Sequence, residues 1–238
     1  CVIESTSNLG FGAANNLGTS KSTGKYLFYL NSDTILLNNA IKCFFDFAES
    51  SIEQIGAIGC ILKDSAGNNI HSFGPFINIK NEARILFSKY FRFLKDREIT
   101  SPHSIDAPKE VDYITGADLF VPRLVCDKIG VFDPIFFMYC EETDWEQRMA
   151  NNGYKRLVIP GPEIIHLEGG SDANTVRVWT SSRMIRNRIS RIKYYKRYYS
   201  GVTLFILRLF LYVMELPITF YLVLKYPLKG YGELLKLF

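Results

Sequence analysis

The segment Tyr26-Leu-Phe-Tyr-Leu-Asn-Ser-Asp-Thr34 constrains the fold more than any other. Five apolar residues in succession, three of them aromatic, suit a short strand covered on both faces, as in a mostly parallel sheet. The run stops at Asn31-Ser32-Asp33-Thr34, which puts a carboxylate at the carboxyl end of a buried strand, where open α/β sheets place their ligands. Residues 12–21 ahead of it suit a short helix. Behind it, Asn38-Asn39 can cap a second helix with apolar positions Ile41, Phe44, Phe45 and Ala48. The expectation is a layered α/β domain.

Further along, residues 55–62 and 69–73 flank Asp64-Ser-Ala-Gly-Asn68, which has hairpin chemistry. Residues 76–109 are less regular and mix charges with aromatics, the pattern of an insertion. Strand character returns at 111–115 and 119–122, before the turn-rich stretch 130–134. A helix over 141–151 stops at Asn152-Gly153. Short strands at 156–159 and 163–167 follow, and from Val176 the pattern is helical.

With 47% hydrophobic and 22% charged residues among 238, the chain suits one large domain or a domain with an appendage, and its composition is not that of a disordered chain. Cys1, Cys43, Cys60, Cys126 and Cys140 are odd in number and form no C-x-x-C pair, so neither a disulfide framework nor a zinc site is indicated and a reducing, cytoplasmic setting fits. The opening lacks Met and a signal-peptide pattern, so the chain is expected to begin within a longer protein. Residues 1–176 hold 16 Lys+Arg against 22 Asp+Glu, a net −6; the remainder holds 12 against 2, a net +10. A basic tail of this kind meets an anionic surface.

Three constellations carry chemistry. Asp33 can help hold Mg²⁺ or Mn²⁺ against a diphosphate, although a polar strand end followed by a helix cap is also an ordinary structural feature. Glu141-Glu142-Thr143-Asp144 puts three carboxylates at a helix start. The helix dipole accounts for part of that; crowding beside the aromatics at 136–139 should also raise one carboxyl pKa, as a general base for a hydroxyl requires. His166, ending a short strand before Gly169-Gly170, is either a structural histidine or a further metal contact.

In this order the segments resemble family 2 glycosyltransferases, particularly the bacterial rhamnosyltransferase-like branch. The resemblance spans residues 2–171 and rests on Asn8-Leu-Gly-Phe-Gly-Ala-Ala-Asn-Asn-Leu-Gly18 joined to Gly24-Lys-Tyr-Leu-Phe-Tyr-Leu-Asn-Ser-Asp-Thr34, with Thr115-Gly-Ala117, Glu141-Glu-Thr-Asp144 and His166. It implies a GT-A fold, a Rossmann-like mixed sheet, lacking its first βαβ portion. It also implies an inverting single displacement from a dTDP- or UDP-sugar onto a glycan or lipid-linked precursor of a bacterial surface polysaccharide. Asp33 matches the last aspartate of the D-x-D-type motif, Asn31 replaces the first, and Asp33 with His166 would ligate Mg²⁺ or Mn²⁺. Glu142 matches the catalytic base, with Asp144 as a supporting carboxylate or acceptor contact. Asn8, Gly10, Asn15, Asn31, Ser32 and Glu141 would line the substrate site, Gly116 and Ala117 would admit the donor sugar to the backbone, and the 76–109 insertion would approach the acceptor.

The division expected is a catalytic domain over 1–175 and basic, apolar helices over 176–238. Arg183, Arg186, Arg188, Arg191, Lys193, Lys196 and Arg197 interleave with Tyr194, Tyr195, Tyr198 and Tyr199, and residues 202–224 are strongly apolar. Arg208 and Glu215 are costly at bilayer depth and Pro217 interrupts a helix. Two amphipathic helices lying on the inner face of the cell membrane are therefore expected, with no nucleic-acid partner and a homo-oligomer left open. Nucleotidyl transfer fits less well, because residues 8–18 contain no Lys or Arg to hold phosphates. An inactive, membrane-bound polysaccharide assembly or binding subunit is the non-enzymatic alternative.

Overall fold

The computed structural model describes residues 2–90, 104–167 and 179–225, with side chains over 2–87, 104–167 and 185–213. These fall into two compact units, one from residues 2–76 and 104–167, the other from 77–90 and 179–225.

The first unit is built on a five-stranded sheet ordered β1 (Tyr26–Leu30), β8 (Asp118–Pro122), β3 (Ile55–Gly59), β9 (Lys155–Val158), β6 (Lys109–Glu110). Only β3 and β9 pair in parallel; the other neighbours are antiparallel. The apolar run of β1 is therefore not the mark of a parallel sheet. It arises because side chains on both faces are covered. Leu27 and Tyr29 join a core with Leu119, Val121, Phe132, Trp145 and Met149, while Tyr26 and Phe28 pack on the other with Phe44, Ile58, Phe120 and Ile164. Aromatic stacking ties the second core: the Phe120 ring lies 5.0 Å from Tyr26 and 5.6 Å from Phe44.

Around the sheet run α1 (Phe11–Lys21), α2 (Ala40–Ser50), α4 (Arg123–Ile129) and α5 (Glu141–Asn151). Asn39 caps α2 by accepting the Lys42 N–H, as expected. Its buried stripe, however, is Ala40 and Phe44; Ile41 and Phe45, a further step round the helix, are about half exposed (50% and 44%). The hairpin chemistry at 64–68 is present: Asp64 Oδ1 accepts the N–H groups of Ala66 and Asn68, and Gly67 takes a φ of 81°. Helix α4 was not foreseen, because seven residues directly after Pro122 carry too little periodicity to stand out.

Two small sheets complete the unit. Strand β10 (Ile164–His166) lies between β2 (Thr34–Leu36) and β4 (Leu62–Lys63), and β5 (Phe73–Gly74) pairs with β7 (Tyr113–Ile114). The pairing of β10 with β2 sets His166 opposite Thr34, and the Leu167 N–H donates to the Asp33 carbonyl. Two segments 132 residues apart in sequence thereby meet end to end.

The second unit consists of α3 (Ile79–Tyr90), α6 (Trp179–Tyr198) and α7 (Gly201–Lys225), with α7 packed on both of the others. Its membership departs from a linear division at residue 175, because α3 belongs with the C-terminal helices. Glu82 of α3, 1% exposed, forms an ion pair with Arg191 of α6. Tyr194 and Tyr195 have no exposure and the Tyr199 hydroxyl donates to the Ile77 carbonyl, so these tyrosines serve the interior rather than a lipid interface. Helix α7 continues through position 217, one helix where two were expected. Among the described residues no helix is long and apolar enough to cross a membrane. The expectations for 91–103, for Gly169-Gly170-Ser171, for Arg183 and for the side chains of Glu215 and Pro217 lie outside the described residues.

Candidate active site

Three of the sequence candidates meet directly. His166 Nε2 lies 3.3 Å from Asp33 Oδ1 and 3.3 Å from the Asn31 side-chain nitrogen. The single lone pair of an unprotonated Nε2 either accepts from the Asn31 amide or, with that amide turned away, faces a cation beside the carboxylate oxygen. Two such donor atoms, both on partly exposed side chains, suit a divalent cation whose remaining positions face solvent or phosphate oxygens. One imidazole with one carboxylate fits Mn²⁺ better than Mg²⁺, which prefers oxygen alone. Among the described residues no group of three His, Cys, Asp or Glu side chains is gathered for a metal, so a cation held by this pair would take its remaining ligands from solvent or phosphate. Ser32, between Asn31 and Asp33, is exposed.

This pair connects to the acidic helix through the backbone. The Asn31 N–H donates to the Ala117 carbonyl at 3.1 Å. Gly116 adjoins Ala117, and a Cβ on Gly116 would stand 4.0 Å from the Glu142 Cβ. The same Cβ would press on the Phe11 ring at 3.0 Å, so the side-chain space at Gly116 is taken by Phe11.

Helix α5 begins under unusual backbone conditions. Tyr139 and Cys140 both hold positive φ, 69° and 65°, at a cost of about 1–3 kcal/mol each for non-glycine residues. Glu141 is buried and its Oε2 has no hydrogen-bond partner. Burial, and then the neighbouring Glu142, push the Glu141 carboxyl up to about 9. The half-buried Glu142 is also raised, by desolvation, against the lowering effect of backbone N–H groups at 142 and 143. Asp144 has another part: it has no exposure, and it bonds Arg148 Nε at 3.0 Å while that guanidinium donates to the carbonyls of Ile129 and Val131. This clamp fixes the turn leading to α5.

The glycine and asparagine block around α1 docks that helix on the same turn. Gly10, with φ of 80°, packs so closely on Phe137 that a Cβ would meet its carbonyl oxygen at 2.1 Å, and the Phe11 N–H donates to that oxygen. Asn8 accepts from the Gly10 N–H and Asn15 donates to the Phe11 carbonyl, both local contacts. Asn16, not singled out beforehand, reaches across to donate to the Phe132 carbonyl and accept from its N–H. Asn8 also lines an open cleft of about 270 Å³ with Ser5, Ser7 and Leu17.

Glu146 was missed. It has no exposure, its carboxyl is raised well above the ordinary range chiefly by desolvation, and both its oxygens accept the Ile114 N–H at 3.0 and 2.9 Å. It lies one turn beyond Glu142 and holds the strand that feeds Thr115-Gly116-Ala117. The signal was a carboxylate set among the apolar positions Trp145 and Met149 of a helix's inner face.

Residues 1–108 match the sequence profile described as Glycosyl transferase family 2. Over that stretch the chain is similar to the family. Rhamnosyltransferase WbbL of Escherichia coli K12 is 24% identical over 166 residues, covering 66% of this chain and 60% of that protein. N-acetylglucosaminyl-diphospho-decaprenol L-rhamnosyltransferase of Mycobacterium tuberculosis is 31% identical over 58 residues, 24% of this chain and 19% of that one. The chain thus spans about three fifths of the first relative and one fifth of the second. The crystal structure of GalNAc-T7 with UDP, GalNAc and Mn²⁺ matches with a TM-score of 0.50 at 16% identity, over 81% of this chain and 37% of that one. The fold is of the mixed α/β GT-A type.

Proposed function

We propose that the chain transfers a sugar from a nucleotide-diphosphate donor to an acceptor hydroxyl with inversion, Glu142 serving as base and Asp33 with His166 holding Mn²⁺ or Mg²⁺. The observation that carries this reading is the meeting of Asp33 and His166 at 3.3 Å, joined through Asn31 and Ala117 to the loop that passes Glu142. When bound, the cation would neutralise charge on the departing diphosphate. The protein's own part is to desolvate Glu142, so that its carboxylate takes the acceptor proton, and to fix its position through Glu146 and the Asp144–Arg148 clamp. The names of the relatives support rhamnose as the sugar and a lipid-linked diphosphate as the acceptor; a dTDP- or UDP-linked donor and a surface polysaccharide follow from the family resemblance alone. An inactive assembly subunit would bind glycan but never consume donor; product mass spectrometry with a panel of nucleotide sugars separates the two.

Asp33→Ala and His166→Ala should each weaken Mn²⁺ and nucleotide binding together by on the order of 10–100-fold. Calorimetric titration of the metal alone, then of metal with nucleoside diphosphate, measures this; unchanged metal affinity in both variants would remove the assigned ligands.

The transfer rate should fall at alkaline pH near 9, where Glu141 loses its proton and sets a second negative charge beside Glu142. Glu141→Gln, neutral at every pH, should abolish that alkaline limb and leave the acid limb in place. An alkaline limb unchanged in the variant assigns it to some other group.

A further inference from the structure

The outward faces of two helices in the second unit have no part in sugar transfer. On α6, Arg186, Ile189, Lys193, Lys196 and Arg197 recur at helical spacing along one side. Arg186, Lys196 and Arg197 are exposed and Ile189 is nearly half so, whereas Arg188 and Tyr195 on the other side, and Ser190 and Tyr194 along one flank, are buried. On α7, Val202, Phe205 and Leu209 form a ridge with 74%, 67% and 48% exposure, opposite the buried Leu207 and Leu211. A helix that already buries one apolar stripe and presents a second to solvent marks a surface for a partner.

We propose that these two faces bind an anionic phospholipid bilayer, the α6 cations meeting headgroup phosphates and the α7 ridge entering the acyl boundary. Charge complementarity selects an anionic surface and the aliphatic and phenyl ridge selects one with an apolar interior. Nucleic acid fits worse. Its single strands call for a succession of exposed rings on which bases stack; Tyr194 and Tyr195 are enclosed, and the ridge sets the ring of Phe205 between the aliphatic Val202 and Leu209. The surface differs from the interleaved Arg and Tyr pattern of the sequence, since only the cations of that pattern face outward. The inference stands apart from the sugar-transfer reading, but would bring such an enzyme to a lipid-linked acceptor.

The test is flotation of the full 238-residue chain with phosphatidylcholine vesicles, with and without about 30% phosphatidylglycerol, in about 0.1 M NaCl. The chain should float with the anionic vesicles and stay behind with the neutral ones. Lys196→Glu should lower partitioning on the order of 10-fold. Phe205→Ser with Leu209→Ser should lower it at least about 10-fold. Both variants should keep the wild-type melting temperature and the wild-type transfer rate on a water-soluble acceptor, so a failure here is distinct from a failure of the catalytic reading. Flotation of the variants equal to wild type, equal binding to both vesicle types, or concentration-dependent self-association without flotation would each overturn the proposal.

Discussion

Glu142→Gln is expected to lower kcat for sugar transfer by about 100-fold or more while leaving the affinity for donor unchanged. The amide keeps the shape of the side chain and can still accept the backbone N–H groups at 142 and 143 that hold the carboxylate. It cannot take a proton. Because Glu142 lies in a desolvated turn beside a second carboxyl that retains its own proton, the substitution also removes a poorly solvated charge, so the folded state should be no less stable. Steady-state kinetics with calorimetric donor titration measures both halves. A variant with more than about a tenth of wild-type kcat would move the role of base away from Glu142. Equal losses in kcat and donor affinity would make it a binding residue.

What the sequence made legible was local. The apolar run of β1, the asparagine cap of α2, the turn at 64–68 and the stop of α5 at Asn152-Gly153 all follow from short-range chemistry, and each is present. What it hid was pairing. Whether Tyr26 to Leu30 lies parallel or antiparallel to its neighbour depends on Asp118 to Pro122, nearly a hundred residues away, and an apolar run is the same for either direction when both faces are covered. In the candidate site the residue types were visible but their partners were not. Asp33 and His166 could be named, whereas their contact needed β10 to pair with β2. Asp144 could be named too, but its bond to Arg148 and the bonds of Arg148 to two carbonyls depend on how the turn at 129–131 folds back. The tail shows the same limit. Tyrosines among arginines describe a lipid interface or a packed helix pair equally well, and burial of Tyr194 and Tyr195 decides for packing.

Asp118→Asn is expected to flatten the pH dependence of stability and to make the protein more stable than wild type above neutral pH. Asp118 has no exposure; its Oδ2 accepts the Cys60 N–H at 2.7 Å and its Oδ1 has no partner. Burial pushes its carboxyl up to about 8, against the two bonds to Cys60 that lower it. An ordinary aspartate in the unfolded chain titrates near 3.9. Below that pH both states carry the proton and the group has no effect on stability. Between about 4 and 8 the unfolded chain releases the proton while the folded protein keeps it, so stability falls as pH rises. Above about 8 both are ionised and the slope from this group vanishes. The loss amounts to on the order of 4 kcal/mol at pH 7. Asparagine has no such titration, keeps an oxygen for the Cys60 N–H and places its amide nitrogen on the side where Oδ1 stands alone, at a desolvation cost of about 1–3 kcal/mol. Urea midpoints at pH 5 and pH 8 measure the difference. Glu141 and Glu146, also raised by burial, contribute a slope of the same sign to both proteins, so the difference between the two curves isolates Asp118. Parallel curves for wild type and Asp118→Asn would mean that Asp118 is ionised inside the folded protein.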